Sequence, residues 1–112
     1  MRVSTFDEYS DLARGSDRYP RTHTRHGELP VYPALALGGE AGEFAEKVKK
    51  AWRDDHPLDP MAGLNELGDI LWYIRAAAEA MGYTLKDVAE ANLVKVLGRR
   101  ERGTLHGSGD NR

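Results

Sequence analysis

Cysteine is absent from the 112-residue sequence. That excludes a disulfide framework, a thiolate metal site and a cysteine nucleophile. The N-terminal stretch MRVSTFDEYSDLARG has no apolar run, so no signal peptide is expected. No stretch comes near the roughly 18 uninterrupted apolar residues of a membrane span. Neither sign of charge is in excess: 16 Lys and Arg stand against 18 Asp and Glu, for a net charge of −2. A balance of this kind argues against general binding to nucleic acid or to a membrane surface, and the cytoplasm is the expected compartment. No segment alternates apolar and polar residues with the period of two that marks a half-buried strand.

The pattern that is present is helical, and residues 1–112 read as one domain with a modest core. Thr5-x-x-Glu8 is a capping box opening a short helix to about Arg14. The segment from Gly15 to Pro33 is rich in Pro, Gly, Arg and His and reads as a surface loop, long enough to suggest a function. A second helix is predicted from near Pro33 to about Arg53. Asp59 as N-cap and Pro60 at the first helical position open a third, which ends at Gly82. Thr84-x-x-Asp87 opens a fourth to about Arg102, and a Gly-rich tail follows from Gly103. The expected class is all-α: an antiparallel bundle of about four helices, with short connections between the last three.

One stretch organises the rest. Met61 to Met81, MAGLNELGDILWYIRAAAEAM, is apolar almost all round, and up to Ala78 its only charges are Glu66, Asp69 and Arg75. A helix of this kind is usually buried, and an unpaired buried carboxylate is costly. On the helical wheel Glu66 and Asp69 are about 60° apart, while Arg75 lies about 180° from Glu66 and so cannot readily neutralise it. Asp69, on the most apolar helix, is expected to carry a charge tolerable only beside a cation. The balancing partner must be another helix, a proton or a metal ion.

Three successive helices repeat one phase. With Glu66 at 0°, Asp69 stands at about 300° and Tyr73 at about 340°, beside an apolar stripe. With Glu40 at 0° on the second helix, Glu43 and Lys47 take those same two positions. On the fourth, Asn92, Lys95 and Arg99 do so. Packed together, these helices would aim Glu40, Glu43, Glu66, Asp69, Asn92 and Lys95 at one region. Gly42 and Gly68 each precede the second carboxylate of their pair, and close helix approach is a plausible reason for a residue that costs a helix about 0.5–1 kcal/mol. Spacing alone is weak evidence. Chance gives about three acidic i, i+3 pairs in such a chain, and five occur. Glu43 with Lys47 and Glu46 with Lys50 also read as ordinary surface salt bridges.

Carboxylates without clustered histidine suit a hard cation held by oxygen, Mg²⁺ or Mn²⁺. His23, His26, His56 and His106 fall outside the three long helices, which disfavours a di-iron bundle. Lys95 and Arg99, with Arg100, Arg102 and Lys47, fit phosphate; the alternative is a basic helix end complementing its dipole. Trp52, Trp72 and Tyr73 could stack on a base or simply fill the core. Trp72 lies at about 240°, off the main stripe, so it could face a partner subunit. The apolar surface on nearly every side of the third helix exceeds what one thin bundle covers, and a homo-oligomer, dimer or tetramer, is expected.

The pair Glu40-Ala41-Gly42-Glu43 and Glu66-Leu67-Gly68-Asp69 resembles the paired acidic motif of MazG-like nucleotide pyrophosphohydrolases, the all-α NTP pyrophosphatase superfamily. ALALGGEAGEFAEKVKKAW is similar to the first metal helix and NELGDILWYI to the second. EANLVKVLGRRERG and GSGDNR resemble stand-alone members. The resemblance implies that Glu40, Glu43, Glu66 and Asp69 bind Mg²⁺, that Asn92, Lys95 and Arg99 surround the phosphates, and that the substrate is a nucleoside triphosphate cleaved between its α and β phosphates. It implies helical dimers or tetramers. Where many members carry one more Glu at the start of the first motif, this chain has Gly39. Glu40 or Glu43 would then orient or deprotonate the attacking water, with Lys47 and Tyr73 beside the substrate. A phosphoribosyl-ATP pyrophosphohydrolase and a non-enzymatic oligomerisation module are the alternatives.

Overall fold

A computed structural model describes residues 1–103; residues 104–112, which include the GSGDNR ending, lie outside the described part. Four helices and one small hairpin follow in chain order: α1 (Phe6–Arg14), β1 (Thr22–Thr24), β2 (Gly27–Leu29), α2 (Val31–Arg53), α3 (Pro60–Ala80) and α4 (Leu85–Arg102). The all-α class expected from the sequence holds.

The helix ends show why the chain breaks where it does. The Thr5 hydroxyl accepts from the Glu8 backbone N–H, and the Glu8 carboxylate reaches back to the Ser4 N–H at 2.9 Å, one residue beyond the usual box. Asp59 caps α3 by accepting from Met61 N–H. At its far end the Tyr83 N–H bonds to the Ala78 carbonyl and Gly82 N–H to Glu79, across a left-handed Gly82 at φ 86°; that is a Schellman closure, which favours glycine. Thr84 and Asp87 complete a reciprocal capping box on α4. The second helix begins at Val31, slightly before the expected start. Pro33 still fits, because the first turn needs no N–H from it.

The segment from 15 to 33 differs from the reading as a plain loop. It contains β1 and β2, paired antiparallel with Thr22 opposite Leu29 and Thr24 opposite Gly27. Three-residue strands are too short to show a period of two, which is why the pattern was invisible. The turn is closed by the Thr24 hydroxyl, which accepts from His26 N–H and donates to the Gly27 carbonyl, and by the left-handed Gly27.

So small a hairpin is marginal alone, and an ionic chain holds it to the helices. Arg14 bonds Glu79 at 2.6 Å, Arg75 bonds both Glu79 at 3.2 Å and Asp17 at 2.6 Å, and Arg21 bonds Asp17 at 3.3 Å and Glu28 at 3.0 Å. Arg75 is wholly buried, 0% exposed, and its guanidinium lies 4.7 Å over the Trp72 ring. As the wheel required, it faces away from Glu66.

Helix α2 packs mainly on α3, while α4 sits against α1 and α3. Among the described residues the buried apolar set is small: Pro33, Ala51, Ala76, Ala78 and Leu85. The expectation that the apolar third helix is buried is met only in its second half. Met61, Leu64 and Leu67 are exposed in the single chain, as are Leu35, Leu93 and Val94. A radius of gyration of 16.6 Å compares with about 13 Å for a compact 100-residue domain, so one chain alone is an open structure.

Removing the buried cation should be the costliest single change in this half of the fold. Arg75→Ala leaves Asp17 and Glu79 short of a partner and opens a cavity beside Trp72. A loss of about 3 kcal/mol or more is expected by chemical denaturation. Arg53→Ala breaks an equally short pair with Asp54 on the open surface and should leave the midpoint where it is.

Candidate metal and nucleotide site

The α2–α3 pairing decides which acids meet. Glu40 and Glu43 stand one turn apart on α2, Glu66 faces them from α3, and one carboxylate oxygen of each lies within 4.8 Å of the others. Like charges this close repel. The one described ion pair to this trio is Lys47 Nζ to Glu66 Oε1, at 3.3 Å. A cation from the neighbouring helix is thus part of the balance that the third helix required, but it falls short of the whole. Glu40 Oε2 and Glu66 Oε2 are both buried without a hydrogen-bond partner. Burial first, and then the charge of Glu43, hold the Glu40 carboxyl above the ordinary glutamate value of 4.5; Asp69 and Glu66 add to it.

The donor set fits a hard divalent cation. All donors are carboxylate oxygens, two of them are orphaned, and their 4.8 Å spread is close to the roughly 4.2 Å between opposite ligands of an octahedral Mg²⁺. Small side-chain rotations close that difference.

Asp69 lies beside the trio. It shares with Glu40 a cavity of about 370 Å³ whose other walls are Tyr73 and Trp72 on α3, Tyr32 at the start of α2, and Ser16, Arg18 and Tyr19 from the segment after α1. The expectation that Asp69 is buried is corrected: it is exposed, because the first half of α3 is uncovered in the single chain. Tyr73 lines the same cavity, its hydroxyl pushed up first by burial and then by Tyr32 and the acids.

The other expected residues stand apart from this cavity. Asn92 and Lys95 are exposed on α4 and Arg99 is buried there; none of the three lines it. Trp52 is 84% exposed at the end of α2. Trp72 finds its neighbours in its own chain, donating from Nε1 to the Ser16 hydroxyl at 3.0 Å. Close approach at Gly42 and Gly68 does not occur among the described residues, since a Cβ at either would meet nothing within 4 Å; Gly63, against Leu58 at 3.3 Å, and Gly98, against Arg102 at 3.1 Å, are the crowded ones.

Four wall residues went unread in the sequence: Ser16, Arg18, Tyr19 and Tyr32. Tyr32 left a signal, because it falls at about 280° on the wheel that puts Glu40 at 0°, on the carboxylate stripe. The other three come from irregular chain, where no periodicity points to a face.

The chain is 41% identical over 85 residues to the Gene 37 protein of Mycobacterium phage L5, covering 72% of this chain and 75% of that protein. No solved structure matches it. The family model of the MazG nucleotide pyrophosphohydrolase domain matches residues 33–104, the span that carries all four acids of the site, and the chain belongs to that family.

Proposed function

We propose that this protein is a Mg²⁺-dependent nucleoside triphosphate pyrophosphohydrolase, cleaving (d)NTPs between the α and β phosphates to a monophosphate and pyrophosphate. The observation that carries the reading is the trio Glu40, Glu43 and Glu66 with two buried, unpartnered oxygens. Glu40, Glu43, Glu66 and Asp69 hold Mg²⁺, with Mn²⁺ as a possible substitute. The bound ion supplies charge neutralisation at the phosphate oxygens and a water of lowered pKa. Glu40, whose carboxyl already favours the proton, or Glu43 orients the attacking water and takes its proton. Lys47 balances Glu66 in the free protein and phosphate charge in the complex. Asn92, Lys95 and Arg99 are assigned to the phosphates by family resemblance.

The working form is a homo-oligomer, dimer or tetramer. Leu35 and Val94, each 75% exposed, together with Leu64 and Leu67, present more apolar surface than a monomer usually leaves in water. The open Gly42 and Gly68 faces suit close approach by a second copy.

The test of the reading is a panel of canonical and modified (d)NTPs and phosphoribosyl-ATP with Mg²⁺, resolving pyrophosphate from phosphate. Release of phosphate alone would sink it. Asp69→Asn keeps shape and removes charge, and should cost on the order of 10²-fold or more in kcat. Glu46→Gln, a surface acid paired with Lys49 and Lys50, should change little.

Metal should also show in stability. Millimolar Mg²⁺ should raise the Tm, by about 2.7 kcal/mol of stabilisation when present at a hundred times its Kd. In chelator the sign follows from Glu40: its folded pKa is raised, so the folded state holds the proton more tightly than the unfolded one. Stability should therefore fall as pH rises from 4.5 through the folded value. Glu40→Gln should flatten that fall, and identical pH profiles for the two proteins would remove Glu40 from the site.

Light scattering should give an integer multiple of the 12.5 kDa chain mass. A monomer at micromolar concentration would refute the assembly.

A further inference from the structure

The cavity beside Glu40 and Asp69 has aromatic walls on a scale unusual for a chain with nine aromatic residues. Tyr19 and Tyr32 are stacked, ring centres 5.6 Å apart and planes within 10°. Trp72 stands edge-on to Tyr19 at 6.1 Å and to Tyr73 at 4.9 Å. Two acids close one end. The Tyr19 hydroxyl is buried without a hydrogen-bond partner. An unpaired hydroxyl at an apolar wall favours a ligand that brings a polar edge, and it serves equally as donor or acceptor.

Part of the wall comes from irregular chain between α1 and the hairpin. Ser16 and Tyr19 precede a hairpin of three-residue strands. What fixes them is the Arg75–Asp17 pair at 2.6 Å and the Trp72–Ser16 hydrogen bond at 3.0 Å. The buried Arg75 also lies on the Trp72 ring. One guanidinium thus holds the loop wall and the helix wall together.

We propose that this cavity takes the flat ring of the substrate's base, stacked within the Tyr19, Tyr32 and Trp72 walls with its polar edge at the Tyr19 hydroxyl, and that Asp17 and Arg75 are positioning residues holding those walls. The assignment rests on the nucleotide reading above, which puts the phosphates at the acidic end. A base is then what remains to fill about 370 Å³, near the small end of ligand pockets. The segment from 15 to 33 is the specificity element of the enzyme.

The test uses a Trp52→Phe protein, in which Trp72 is the sole tryptophan; position 52 is exposed and outside the cavity. Nucleoside monophosphates should quench Trp72 fluorescence, and ribose 5-phosphate and inorganic tripolyphosphate should not. Tyr19→Phe and Asp17→Asn should each raise KM for nucleoside triphosphates by about tenfold with kcat nearly unchanged, while hydrolysis of the base-free ribose 5-triphosphate stays as in the parent. A merely structural role for Asp17 would instead lower kcat on both substrates. Equal quenching by ribose 5-phosphate, unchanged KM in both variants, or parallel losses on both substrates would overturn the proposal. A parent protein that hydrolyses no nucleoside triphosphate would defeat the reaction assigned above, and the quenching experiment would still decide for or against the cavity.

Discussion

Repulsion among carboxylates sets the terms for this molecule. Three acid groups within 4.8 Å are a cost that any fold must offset, and here two helices are packed so as to incur it. Lys47 relieves part of it from α2. The two oxygens left without partners and the raised pKa of Glu40 are the unrelieved remainder. A protein selected only for stability would not keep such a remainder.

Helix α3 serves two electrostatic systems on opposite faces. Toward α2 it carries Glu66, in an environment short of positive charge. On the other side it carries Arg75, buried and bonded to Asp17 and Glu79. Their separation follows from the helical period alone: nine residues is two and a half turns. The arrangement keeps this buried cation from quenching the acidic centre. It also lets that cation tie down the hairpin segment, whose aromatic residues reach round to the same cavity as Glu40 and Asp69. The two systems meet there, through Trp72 and Tyr73 at adjacent positions.

The small enclosed core belongs to the same economy of a short chain. Among the described residues its buried apolar members are three alanines, a proline and a leucine, and several larger aliphatic side chains of α2, α3 and α4, among them Leu35, Leu64, Leu67, Leu93 and Val94, remain exposed. Glycines 42 and 68 have nothing over them. These are adjacent features of the same two helices that hold the acids, so any second copy covering them would approach the acidic centre too.

The helical class, the helix ends and the shared phase of Glu40, Glu43, Glu66 and Asp69 on their helices were legible in residue order, because caps, glycine stops and a 3.6-residue period are local properties. The position of Arg75 relative to Glu66 was legible for the same reason. The disposition of the four acids was not: the structure brings Glu40, Glu43 and Glu66 within 4.8 Å and sets Asp69 beside Glu40 in the shared cavity, a matter of how α2 lies on α3. Nor could periodicity reveal Tyr19, Ser16 and Arg18, which are placed by a long-range bond from Asp17 to a residue 58 positions away. The strain on Glu40 likewise depends on burial and on acids brought up from both helices. Local chemistry writes itself into a sequence; burial and charge balance arise only when distant segments pack.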